Sequence, residues 1–161
     1  MLDVKDNSKF FKQQLKKKSE KLKSAIQKAL GEASAFQVSA IRDRTEQRGK
    51  DVRGRPFKPY SKGYIQARRK RFNDPSNQDT TPKNFVDLNF TGKMFSALTF
   101  TTRPSRGIVF FRSAEQTKKA MIHNEGKGKM PQREFFGIST MEQKKINAII
   151  GKSIKKALAW V

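Results

Sequence analysis

Apolar residues recur along the first forty-odd positions at steps of three, four and seven: Phe11, Leu15, Leu22, Ile26, Leu30, Ala33, Ala40 and Ile41. That period places them on one stripe of an α-helix. Lys12, Lys16, Lys17, Lys21, Lys23 and Lys28 fall largely off the stripe. The pattern predicts one long amphipathic helix within residues 1–48, capped by Asn7 or Ser8. Gly31 is the position where a kink is expected. Arg48-Gly49-Lys50, followed by Gly54 and Pro56, ends the helix.

Residues 49–84 read as a basic and polar loop region. Two prolines and two glycines between positions 49 and 61 forbid regular structure there. Phe57 and Tyr60 are the anchors expected to pin that loop. Residues 62–71 predict a short, very basic helix. The stretch from Asn73 to Asn84 holds no apolar residue, so it cannot offset the entropy of its own ordering and is expected to order on assembly.

The remainder, residues 85–161, predicts a sheet plus helices. Val86, Leu88 and Phe90 alternate with polar residues at the strand period, and Thr91–Leu98 reads as a short capped helix. Thr99–Arg103 and Gly107–Arg112 predict a hairpin turning at Pro104-Ser105-Arg106. Ser113 with Gln116 and Ser139 with Glu142 are capping-box spacings that open two helices. Gly126 and Gly128 end the first, and Phe135 and Phe136 fall in a short predicted strand. The last helix carries Ile146, Ile149, Ile150, Ile154, Ala157, Leu158 and Val161 on one face. The predicted fold is a single α+β domain over 1–161: a long N-terminal helix, a small antiparallel sheet with a hairpin, and a C-terminal helix packed on the sheet.

Composition changes the picture mainly through charge. The chain has 161 residues, 36 Lys+Arg against 14 Asp+Glu, and a formal net charge of +22. Residues 42–72 alone hold twelve basic residues against Asp43, Glu46 and Asp51. Such a chain attracts polyanions, whether nucleic acid or an acidic protein face. The 13 Phe supply a core that a disordered chain of this polarity would lack. With no cysteine, disulfides, thiolate metal sites and cysteine nucleophiles are excluded. Apolar runs such as Ile108-Val109-Phe110-Phe111 are far too short to span a bilayer, and the Lys-rich start lacks the apolar core of a secretory signal. The expectation is therefore a protein made and used in a cytoplasm, or built into a particle assembled there, without a membrane.

Little in the chain points to catalysis. His123 and Glu125 are the one pair that suggests a nuclease, as general base and metal ligand. The competing reading is that His123 closes a helix C-terminus, a partly cationic imidazole complementing the dipole. Asp74, Asp79 and Asp87 have no spacing that gathers them, and no phosphate loop or nucleophile elbow is present. No catalytic, cofactor or metal site is expected. The segment Arg42–Arg71 is instead expected to form a contact surface between subunits. Phe57 and Tyr60 would be its anchors, and Arg53, Arg55, Arg68, Arg69, Lys70 and Arg71 its charged complements.

Four segments, in order, then carry a resemblance. They are Gly49-Lys50-Asp51-Val52-Arg53-Gly54-Arg55-Pro56-Phe57, Thr91-Gly92-Lys93-Met94, His123-Asn124-Glu125-Gly126, and Pro131-Gln132-Arg133-Glu134-Phe135-Phe136-Gly137-Ile138-Ser139. Together they resemble the virion morphogenesis, or tail-completion, family of tailed bacteriophages, which includes the Mu-like minor tail proteins. The likeness spans roughly residues 40–160. It departs from the family in the insert-like Asn73–Asn84 stretch and in the high charge. It implies a non-enzymatic virion protein at the head-to-tail junction. Its partners would be copies of itself in a ring, other neck, connector or tail proteins, and DNA in the channel through non-specific contact. His123, Arg133, Phe135 and Phe136 join the interface candidates on this basis, with Arg133 suited to fork onto a carboxylate or carbonyls and one phenylalanine entering the core. The alternative is a basic nucleic-acid-binding protein with nuclease chemistry at His123.

Overall fold

The structure is a computed structural model that describes residues 7–73 and 85–159. Helix α1 (Ser8–Arg42) runs unbroken through Gly31 and passes into a π-helical turn at Asp43–Gln47. The expected kink does not interrupt the helix there, and the hairpin's Thr102 methyl lies 3.9 Å from where a Gly31 side chain would start. Asn7 occupies the cap position without a side-chain cap bond. Helix α2 spans Lys62–Phe72, α3 Lys93–Ser96, α4 Ala114–Glu125 and α5 Thr140–Leu158. Strands β1 (Leu98–Arg103) and β2 (Arg106–Phe111) pair antiparallel, Leu98 opposite Phe111 and Thr102 opposite Gly107. The fold is thus α+β, with the long helix, the hairpin and the C-terminal helix that the pattern predicts.

The hairpin lies across the second half of α1, and α5 packs along α1 as well. Gln37 reaches Glu142 at the start of α5, while Leu22 and Ala157 line one depression, so the two helices run antiparallel. Close approach of the hairpin depends on small residues. A side-chain carbon added at Gly107 would sit 2.0 Å from the Ser34 hydroxyl and 3.2 Å from the Leu30 carbonyl.

The core gathers at the C-terminal end of α1: Ile41, Phe57, Val86, Leu88, Met94, Phe95, Leu98, Phe111, Ala120 and Phe135. Phe135 is fully buried, edge-on to Phe95 at 5.6 Å and to Phe111 at 6.5 Å between ring centroids. Such pairs add about 0.5–1.5 kcal/mol beyond area burial. The first turns of α1 lie away from this core, with Phe10 and Phe11 each 64% exposed.

Two predicted strands are not formed. Around Val86–Phe90 the chain turns at Leu88, whose φ is +54°, and the Leu88 and Asn89 amides are taken by side chains rather than by a partner strand. Phe135 and Phe136 lie in irregular chain, tied to the basic loop by one backbone bond from Val52 N to Glu134 O of 2.8 Å. Both expected capping positions hold: Ser113 accepts from Gln116 N, and Ser139 and Glu142 form the reciprocal box. The expectations for 74–84 and for Val161 fall outside the described residues.

Candidate interaction surface

The basic loop is shaped from within by a carboxylate. Asp51 is buried and accepts from the Arg53 amide at 2.9 Å, the Arg55 amide at 2.8 Å and the Arg55 Nε at 2.8 Å. Burial alone would raise its pKa; the hydrogen bonds from Arg55 and Arg53 outweigh that and hold the carboxyl below its ordinary value. The result is a tight turn that presents the Arg53 and Arg55 side chains, 65% and 62% exposed, to solvent. Arg53 also lies 3.5 Å from Glu134.

Behind the loop, charges are paired off inside the chain. Arg44 meets Glu142, and its other nitrogen donates to the Phe135 and Gly137 carbonyls. Gln37 donates to Gly137 O at 2.9 Å. Burial pushes the Glu142 carboxyl up, but the Ser139 amide, Arg44 and Gln37 pull it below its usual range. Arg68 pairs with Asp87 and donates to Asn89 O at 2.7 Å. The Tyr60 hydroxyl donates to Asp87 and accepts from Leu88 N at 2.9 Å. Burial, reinforced by Asp87, raises its pKa.

These contacts correct several expectations. Phe57 is a core residue and is not available as an anchor for a neighbouring subunit. Tyr60 packs against that core and holds the segment around Asp87. Arg68 is buried and paired, so the run Arg68–Arg71 does not act as one exposed patch. The helical period turns Arg68 inward while Arg69 and Lys70 face solvent. Arg71 is half-buried, its guanidinium 5.2 Å over the Phe90 ring and bonded to Phe90 O. Arg133 is buried and forks onto the Lys58 and Pro59 carbonyls at 3.0–3.1 Å. Phe135 enters the core, and Phe136 is half-buried at 5.5 Å from Phe111.

His123 lies in the last turn of α4, as its competing reading required, in surroundings that disfavour its cationic form. Burial, aided by the nearby Arg133 charge, pushes its pKa down. Its carbonyl accepts from Arg133 N at 2.8 Å, and Gly126 closes the helix at φ +70°. Glu125 is exposed and pairs with Lys127 at 2.7 Å. Among the described residues, no group of three His, Asp or Glu is gathered as a metal site requires. No described helix is long and apolar enough to cross a membrane.

What remains on the outside is a cationic rim: Lys50, Arg53, Arg55, Lys58, Arg69 and Lys70 are all exposed. Two cavities of about 550 and 560 Å³ open beside it, and Arg53 lines both. Exposed guanidinium groups on a braced loop suit bidentate contact with carboxylates or phosphates.

The pairing of Arg44 with Glu142 was not singled out by motif reasoning, which read Glu142 only as part of a capping box, although a signal existed. Continuing the buried stripe Ala33, Gln37, Ile41 by three or four residues lands on Arg44 and Thr45, and a buried arginine demands a carboxylate. Comparison of the chain with protein-family profiles, with curated proteins and with solved structures finds no match.

Proposed function

We propose that this chain is a structural protein of a tailed-bacteriophage virion, acting at the head-to-tail junction as one subunit of an oligomeric ring. The observation that carries the reading is what the four family-like segments do. Far apart in sequence, they contribute to one core cluster or bond to one another around it. Asp51 shapes the first segment, and its Phe57 joins the same core cluster as Met94 of the second. His123 O of the third receives Arg133 N of the fourth, and Arg133 grips the carbonyls following the first. Their residues brace a scaffold instead of converging on a reacting atom.

Unpartnered surfaces give the scaffold its reason. Among the described residues the two-stranded sheet has no further strand on either edge, and Phe110 is 38% exposed. Phe10, Phe11 and Leu15 are exposed along the free part of α1. In a ring, such edges and stripes are covered by the next subunit, and the cationic rim meets acidic neighbours or DNA.

The test is loss and restoration of joining. A phage with a stop codon in this reading frame should produce filled heads and separate tails. Purified protein added to that lysate should restore infectious particles. Normal joined particles without the protein would sink the proposal.

A further inference from the structure

The groove between α1 and α5 has a lining that neither the core nor the cationic rim uses. It is a cavity of about 870 Å³, with Lys21 and Lys28 on the α1 side and Lys152 and Lys156 on the α5 side. Its floor is made of small or apolar residues, among them Ala25, Ile149 and Ala157, all half-buried. Each side is one helical ridge, since positions 21, 25 and 28 share a face, as do 149, 152 and 156. A second depression adjoins it through Lys21 and Ala157 and adds Leu22 and Leu158 to the floor. Among the described residues none of these four lysines is in an ion pair, and Glu32 is the one acid on the lining.

We infer that this groove is a docking site for an amphipathic helix of another protein, one whose apolar stripe is flanked on both sides by Asp and Glu. The complement follows from the order of the lining across the groove: ammonium, apolar floor, ammonium. An incoming helix with acid, apolar and acid positions in that order satisfies all three bands. A nucleic-acid backbone matches the lysines but leaves Ile149, Ala25 and Ala157 against phosphate. A second copy of this chain is a poor occupant of this groove, because the amphipathic helices it offers, α1 and α5, flank their apolar stripes mainly with lysines. The inference does not depend on the assembly being a phage neck; it requires only an acidic helical partner.

The probe is a fluorescent synthetic peptide with leucines at helical three-to-four spacing and glutamates on both flanks. A scrambled peptide of equal composition and a DNA duplex are the comparisons. The wild-type chain should bind the patterned peptide roughly tenfold more tightly than the scrambled one. K152E/K156E should lose roughly tenfold in peptide affinity, and a charge-swapped peptide with glutamates on one flank and lysines on the other should bind that variant better than the all-glutamate peptide does. Ala25→Trp, which fills the floor, should weaken the peptide but leave DNA binding unchanged. Melting curves check both variants, and the charge-swapped peptide reads the groove even if Ala25→Trp is unstable. Equal binding of the scrambled peptide overturns the inference. So does parallel loss of peptide and DNA in K152E/K156E, which would make the groove a phosphate-binding surface.

Discussion

Arg68 Nη1 lies 3.0 Å from Asp87 Oδ1, and the two side chains are 7% and 2% exposed. The pair ties α2 to the irregular chain ahead of α3, with Tyr60 as a third member. A second link, Arg44 to Glu142, ties the π-helical turn after α1 to the start of α5. Between them, these pairs hold α2 and the turn that leads into the basic loop against the body of the fold.

Removing one partner of such a pair leaves an uncompensated buried charge. Arg68→Ala and Asp87→Asn should each destabilise the fold by about 3–5 kcal/mol. Arg69→Ala and Lys70→Ala, on the exposed side of the same helix, should change stability by less than about 0.5 kcal/mol. Urea unfolding of the four variants measures the contrast. Equal effects across them would mean that Arg68 is not buried as described.

Phe57 and Phe135 share the core cluster. Truncating either to alanine should cost about 3–5 kcal/mol through lost transfer energy and a cavity. The effect appears in the isolated protein, as a lower denaturation midpoint, before any assembly step. A Phe57→Ala protein with wild-type stability that fails only in assembly would restore the interface-anchor reading.

Gly107 is a contact point between hairpin and helix. Gly107→Ala should destabilise by about 1–3 kcal/mol because the added carbon meets the Ser34 hydroxyl. Ser34→Ala should recover part of the loss in the double variant, leaving the remainder against the Leu30 carbonyl. Strict additivity of the two substitutions would contradict this geometry.

Acid should weaken the fold in two stages. The His123 pKa lies below its ordinary 6.5 in the folded state. Below that value the unfolded chain binds a proton that the folded chain refuses, so stability falls as pH drops from 6.5 toward the folded pKa. Glu142 and Asp51 are also depressed, from 4.5 and 3.8, and their contributions are lost as pH falls below those values. Thermal melts against pH should show both stages, and His123→Gln should remove the upper one alone. An upper stage unchanged in His123→Gln would assign it to another group.

The helices and the hairpin were legible because each is a local pattern: a periodic stripe, a serine three residues ahead of its partner, a proline turn between alternating strands. The buried network was less so. Charge runs in sequence carry no sign of which side a helix turns inward, and Arg68 sits within Arg68-Arg69-Lys70-Arg71 without any local mark. Its burial depends on Asp87, nineteen residues later in the chain. The same dependence defeated the strand expected at Val86–Phe90, where side chains of Tyr60 and Asp87 capture the amides that a strand would have used. The four ordered segments were visible as motifs, but their mutual bracing was not, because backbone contacts such as Arg133 N to His123 O leave no residue signature.

The central claim is that this scaffold is a ring subunit of a phage neck. Cryo-electron microscopy of the purified particle tests it most directly. The account predicts a ring of density between head and tail into which α1, the hairpin and α5 fit, with the cationic rim around Arg53 and Arg55 against an acidic neighbour or the DNA. Particles whose head-to-tail junction is fully accounted for by other chains, with this protein absent from them, would contradict it.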